Sequence, residues 1–226
     1  MEILYEDNHL IAVNKTNSDL VQGDNTGDEP LVNKVKEYIK KKYNKPGDVF
    51  LGIVHRLDRP VTGIVLFART SKALIRLNKM FQDKEVSKTY WAIVKELPAE
   101  DAATLHHFLV KDNAKNKSYA FPNMRKGAKE AALSYKLISS AAKYYLLEVD
   151  LQTGRHHQIR CQLAKIGCPI RGDLKYGFPR SNPNGGISLH ARKLEFMHPV
   201  QKEHVSIVAP LPKDENLWRE FENVRD

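Results

Sequence analysis

Cysteine is nearly missing from this chain: Cys161 and Cys168 are the only two among 226 residues. Two such residues make no disulfide framework, and Cys-x6-Cys is wider than the close pairs of structural zinc sites. The nearby His156, His157, His190 and His198 match no zinc spacing either. No metal is expected, and both cysteines read as small buried apolar residues. Long hydrophobic runs are also missing, none approaching the ~18 residues of a membrane span. The start, Met1-Glu2-Ile3-Leu4-Tyr5-Glu6-Asp7, is acidic and leads into no apolar core, which argues against a secretion signal. A cytoplasmic protein is therefore expected. No Gly-rich phosphate loop occurs, so nucleotide cofactors have no support. His55-Arg56-Leu57-Asp58 resembles a kinase catalytic loop, but with an extra Leu, no Gly-rich loop and no following Asp-Phe-Gly. Kinase chemistry is rejected.

Acid is in short supply. Thirty-six Lys and Arg face 27 Asp and Glu, a net charge of +9. That balance favours a polyanionic partner, because neutralising phosphates releases condensed counterions.

Hydrophobic periodicity predicts strands at 3–5 and 10–13, bent at Asp7-Asn8, and a helix over 31–43 that ends in Lys40-Lys41-Lys42 and is stopped by Pro46-Gly47. A short apolar run at 50–54 precedes the charged segment 55–60. The continuous apolar run 63–68 reads as a buried strand. Ser71 is placed as N-cap of a helix to about Asp83, with Leu74, Leu77, Met80 and Phe81 on its apolar face. Further strands are expected at 89–94, 133–138, 144–151, 187–196 and 204–208. A short helix over 155–166 should close at Gly167, and a terminal helix is expected over 212–224. Strands outnumber helices without regular alternation, which predicts an α+β fold on a mixed or antiparallel sheet. The polar stretch 111–129, with six Lys or Arg, reads as a loop or extended hairpin and as the best lobe boundary.

Three segments carry chemistry. Asp58 stands between Arg56 and Arg59, where positive neighbours favour an ionised carboxylate usable as nucleophile or base. A structural ion pair ending a strand is the alternative. In the strand Lys88-Thr89-Tyr90-Trp91-Ala92, period two puts Lys88, Tyr90 and Ala92 on one face, where a ring and an ammonium suit a base and its phosphate. In Thr153-Gly154-Arg155-His156-His157-Gln158-Ile159-Arg160, a tight turn enters a helix whose first two turns gather Arg155, His156, His157 and Arg160. Cations there oppose the helix dipole, a cost understandable if they serve an anion.

These segments, with Gly172-Asp173-Leu174-Lys175-Tyr176-Gly177, Leu189-His190-Ala191 and His198-Pro199, occur in the order seen in RluA-type pseudouridine synthases, and the resemblance runs from about Ile3 to Pro210. It implies the pseudouridine synthase catalytic fold: a long mixed or antiparallel sheet in two lobes, with flanking helices and a central cleft. It also implies isomerisation of specific uridines in structured RNA, ribosomal or transfer, by a single catalytic domain over 1–226 without cofactor or metal. The chain opens directly on catalytic-domain strands, so no S4-type RNA-binding module is expected before them.

By the same resemblance Asp58 is the catalytic carboxylate, attacking C1′ or removing the C2′ proton. Tyr90 stacks on the uracil and helps remove the C5 proton, and Arg160 pairs with Asp58. Arg59 enters the space left by the flipped uridine, and Leu189 walls the uracil pocket. Arg56, Lys88, Arg155 and His157 complete the substrate-binding set. The sequence departs from the family pattern at Val61-Thr62-Gly63, Gln162, Cys168 and Thr16-Asn17-Ser18-Asp19. RNA grip is expected from Lys34, Lys36, Lys40–Lys42 and the 111–129 stretch, and the protein is expected to be a monomer with no membrane partner. Two other classes stay open: a non-catalytic RNA-binding or ribosome-assembly factor on this scaffold, and a metal-dependent nuclease or phosphotransferase, which would want clustered carboxylates.

Overall fold

The computed structural model describes residues 1–24 and 27–224. The chain divides into two compact units, Met1–Ser87 with Lys193–Pro210, and Lys88–Arg192 with Leu211–Asp226.

In the first unit, β1 (Glu2–Glu6) runs antiparallel to β2 (Leu10–Lys15). The expected bend is closed by Asp7, whose Oδ1 accepts the N–H groups of His9 and Leu10, both at 2.7 Å. β2 lies antiparallel to β4 (Thr62–Ala68), which also pairs with the short β3 (Gly52–Ile53). Every residue of β4 is buried, as a strand covered on both faces requires. Helix α1 spans Leu31–Lys42 and α2 spans Ser71–Gln82. Leu10, Ala12, Ile64 and Leu66 pack with Ala73, Leu77 and Met80 of α2, each large side chain contributing about 2 kcal/mol of burial.

Both helix ends differ in detail from expectation. α1 is stopped by Asn44, left-handed at φ 53°, ahead of Pro46-Gly47. The Lys45 N–H then closes on the Lys40 carbonyl at 3.0 Å and satisfies an orphan acceptor. The cap of α2 is Thr70, whose Oγ1 accepts the Ala73 N–H at 3.2 Å, and Ser71 is the first helical residue.

In the second unit the strand order is β10-β5-β9-β8-β6-β7, with β5 (Ser87–Val94), β6 (Ala102–Asp112), β7 (Lys117–Phe121), β8 (Lys129–Ala141), β9 (Tyr144–Leu151) and β10 (Leu189–Met197). The pairings β5–β9, β9–β8, β8–β6 and β6–β7 are all antiparallel. The later half of β10 belongs to the first unit, where it pairs antiparallel with β11 (His204–Val208). Strand β6 went unforeseen, because its Ala, Thr and His residues carry weak apolar alternation. The stretch 111–129 lies wholly inside the second unit, since its residues form the β6–β7 hairpin and the link to β8, so the division falls elsewhere.

Helix α3 (Gln158–Lys165) sets Cys161 and Ala164 against Leu109, Ala120 and Ala131 on one sheet face. On the other face Trp91, Ile93 and Leu146 meet Trp218 and Phe221. Those two rings sit on a short 3-10 helix, Asn216–Phe221, and not on the longer terminal helix expected. Docking of two aromatic anchors decides that segment, and Glu215 just before it is held by Arg171 and Ser188.

The capping correction is testable. Thr70→Ala should cost about 1 kcal/mol in urea unfolding with an unchanged m-value, while Ser71→Ala should cost a few tenths at most. Equal losses would return the cap to Ser71.

Candidate active site

Asp58 opens a β-turn in the first unit. Its carbonyl accepts the Val61 N–H at 3.0 Å, and Arg59 and Pro60 form the corner. Buried Leu57 anchors the turn from one side, and Asp58 itself is half-buried. From beneath comes Lys15 at the end of β2, only 1% exposed. Its Nζ donates to the carbonyls of Thr16 at 2.8 Å, Arg59 at 2.8 Å and Val61 at 2.7 Å. An ammonium has three donors: two hold carbonyls of the Asp58 turn, and the third is taken by the adjacent Thr16 carbonyl. Burial pushes Lys15 down from 10.5 to about 7, against the opposing pull of Asp19 and Asp58. Before the turn, His55 accepts the Leu66 N–H at 2.9 Å and stacks on Phe81, tying the loop to β4 and α2. The sequence sets Arg56 and Arg59 beside Asp58 as charged neighbours and makes Arg160 its expected partner. Arg56 is exposed, and Arg59 reaches outward to Asp28 at 2.7 Å. Lys15 is the buried cation that reading missed.

The second unit assembles the other residues. Tyr90 is 8% exposed on β5, and its neighbour on the same face, half-buried Lys88, is held below the usual lysine range by desolvation. Lys88 Nζ lies over the Thr153-Gly154 turn, where a Cβ on Gly154 would stand 3.9 Å from it. Gln158 knits this turn. Its Oε1 accepts from Thr153 Oγ1 at 2.7 Å and from the Arg155 N–H at 2.9 Å, and its Nε2 donates to the Ala132 carbonyl at 3.0 Å.

The cations are placed differently from expectation. α3 begins at Gln158, and His157 before it is left-handed at φ 54°. Arg155, His156 and His157 therefore precede the helix, so the opposition to its dipole falls on Arg160 alone. Arg155 is exposed and donates through Nε to the Glu130 carbonyl at 2.9 Å, bracing the turn against β8. His157 is buried, with Nδ1 3.0 Å from Tyr176 Oη and its ring stacked 3.8 Å from that of His156. Gln162, one of the departures from the family pattern, stitches α3 to β6 through the Leu105 carbonyl and His107. Leu189 is 3% exposed at the start of β10.

Arg160 is 5% exposed and forms a bidentate pair with Asp173, itself 1% exposed. Nε meets Oδ2 at 2.7 Å and Nη2 meets Oδ1 at 2.9 Å. Asp173 engages one edge of the guanidinium only, and Tyr176 lies under it, 5.2 Å from ring centre to Cζ. Asp173 is in turn held by Gly172 at φ +86°, where a Cβ would strike Asn182 Cγ at 2.6 Å. Asp173 belongs to a segment singled out in the sequence, yet its partnership with Arg160 carried no local signal. Of the α1 lysines, Lys34 is paired with Asp19 and Lys42 with Glu6, both at 2.7 Å, and Lys41 with Glu37 at 3.2 Å. Among the described residues no three His, Cys, Asp or Glu side chains are grouped to hold a metal ion.

The family model described as RNA pseudouridylate synthase matches residues 9–165, more than half the chain and inclusive of Asp58, Tyr90 and Arg160. The chain belongs to the RNA pseudouridylate synthase family. An uncharacterized RNA pseudouridine synthase of Synechocystis sp. is 34% identical over 94% of this chain and 66% of its own length. The ribosomal large subunit pseudouridine synthase C of Buchnera aphidicola is 32% identical over 92% and 67% respectively. The synthase thus spans about two thirds of the length of these curated relatives. A solved structure, human RNA pseudouridylate synthase domain containing 4, aligns over 100% of the chain with a TM-score of 0.81 at 24% identity, and so shares the α+β fold. Through its family the chain is an RNA pseudouridine synthase, an isomerase.

Two substitutions test how the synthase builds this site. Asp173→Ala should remove the bidentate partner of the buried Arg160 and cost about 3–5 kcal/mol in urea unfolding. A loss under ~1 kcal/mol would show the pair to be dispensable. Lys15 binds its proton less readily folded than unfolded, so between pH about 7 and about 10 the unfolded chain holds more protons and stability rises with pH. Lys15→Met should flatten that rise, measured as unfolding free energy across the window. An identical pH profile in the variant would contradict it.

Proposed function

We propose that the synthase isomerises specific uridines of structured RNA, ribosomal or transfer, with Asp58 as the catalytic carboxylate. The observation that carries this reading is the Asp58 turn: a half-buried carboxylate on backbone braced by a buried lysine, inside the segment that matches the family. Breaking the N1–C1′ bond and rejoining the base through C5 needs a carboxylate at the ribose, a surface for the detached ring and an acceptor for the C5 proton. Asp58 supplies the first by attack at C1′ or removal of the C2′ proton. Tyr90, on its strand face beside Lys88, supplies a ring to stack on uracil and an oxygen to help take the C5 proton. Arg160, oriented by Asp173, is the arginine that serves the Asp58 carboxylate. Arg59, exposed at the turn's corner, is the residue that fills the gap left by the flipped nucleotide. Leu189 walls the base, and Arg56, Arg155 and His157 complete the substrate-binding set.

Ribosomal and transfer RNA are the proposed substrates because relatives are named for both, the tRNA pseudouridine synthase C of Pectobacterium carotovorum being 30% identical. We place the synthase in the cytoplasm as a monomer without nucleotide cofactor. No helix among the described residues is long and apolar enough to cross a membrane.

Asp58→Asn should lower tritium release from C5-labelled uridine in ribosomal and transfer RNA transcripts by roughly a thousandfold or more, as loss of a nucleophile or base does. RNA affinity should stay within about threefold, a shift of under ~0.7 kcal/mol. Surviving turnover would sink the assignment of Asp58. Chelator should leave the rate unchanged, and clear inhibition would revive metal-dependent chemistry.

A further inference from the structure

The β6–β7 hairpin carries a feature that the reaction at Asp58 does not use. Strand alternation turns Ser118 and Ala120 of β7 inward, where both are buried, and turns Lys117, Tyr119 and Phe121 to the opposite face. The register sets Tyr119 across from Val110 and Phe121 across from Phe108, so one face of two strands carries three aromatic rings. α3 packs against the other face, through Leu109, Ala120 and Ala131. Tyr119 is 37% exposed, and Phe108, Val110 and Phe121 are only partly covered.

Cations are interleaved with these rings. The Arg125 guanidinium lies 3.9 Å from the centre of the Phe121 ring, and Lys117 Nζ lies 5.7 Å from that of Tyr119. The stretch 111–129 holds six Lys or Arg against one acid, Asp112, whose Oδ1 accepts the Lys115 N–H in the hairpin turn. The free edge of β7 is already occupied at its centre. Ser118 N–H donates to Tyr176 Oη at 2.9 Å, and the Ser118 carbonyl accepts from Cys161 Sγ at 3.2 Å. A peptide adding itself as a further strand would have to displace both.

We propose that this face is a stacking platform for a single-stranded segment of the substrate RNA, apart from the nucleotide at Asp58. Bases lie on Tyr119 and on the Arg125–Phe121 pair, while Lys115, Lys117 and Lys126 meet the phosphates. A flat face of alternating rings and cations suits unpaired bases of any sequence, whereas a paired helix offers few open base faces. The platform deepens the reading of this chain as an enzyme acting on RNA and rests on it.

The test uses a fluorescein-labelled twelve-nucleotide oligouridylate and an RNA duplex of about the same length, followed by anisotropy at two salt concentrations. Tyr119→Ala and Arg125→Ala should each weaken oligouridylate binding by roughly tenfold, the size of one lost stacking contact, and change duplex binding far less. Tyr119→Phe keeps the ring and should bind as the wild type does. Tyr119 and Arg125 are exposed, so unchanged melting temperatures should accompany these losses. Photocrosslinking of wild type to a 4-thiouridine oligonucleotide should label the peptide spanning residues 117–125. Oligouridylate binding that is unaltered in both alanine variants overturns the platform and gives the face to a protein partner. Absence of crosslinks in that peptide overturns it too. A wild type that releases no C5 tritium, yet loses oligouridylate through Tyr119→Ala, topples the isomerase reading and leaves the platform standing.

Discussion

A guanidinium at the start of a helix sits at the wrong end of the helix dipole, and in the second unit Arg160 does so while almost fully buried. Asp173 makes that possible. Its carboxylate takes two charge-assisted bonds from Arg160, which fixes the plane of the guanidinium as a single contact to a lysine could not. Much of the surrounding sequence serves this pair. Gly172 gives Asp173 a backbone that no side chain would tolerate against Asn182. Tyr176 lies under the guanidinium, closes the β7 edge and meets His157. The left-handed His157 completes the turn that carries the chain from the Gly154 corner, through Arg155 and His156, into α3.

The first unit solves a different problem by similar means. Asp58, the carboxylate proposed as catalytic, sits on a loop and has to be held in place by its surroundings. Here the holding is done through backbone. Lys15 grips two carbonyls of the Asp58 turn from a buried position, where desolvation lowers its pKa to about 7. Its side chain leaves from the end of β2, a buried strand paired on both sides, so the turn takes its position from the sheet.

Much of this was legible in the residues. Period-two alternation and continuous apolar runs located most of the strands, with β9 and β11 placed to the residue and β6 missed. The motif segments placed Asp58, Tyr90 and Arg160 on the elements where they are found. What stayed hidden was long-range or conformational. Lys15 is a lone lysine whose partners lie 44 and 46 residues away, and no local pattern reports such a bond. Asp173 was visible as part of a segment but not as the partner of Arg160. The start of α3 was placed early because a left-handed histidine gives no propensity signal, and the terminal segment took its form from the docking of Trp218 and Phe221.

We propose that Asp173 acts on the reaction through Arg160. A double-mutant cycle on the single-turnover rate of pseudouridine formation, with Asp173→Asn, Arg160→Gln and both together, tests it most directly. Asp173→Asn should slow the wild type but cost nothing further once Arg160 is replaced. Fully additive losses would contradict it.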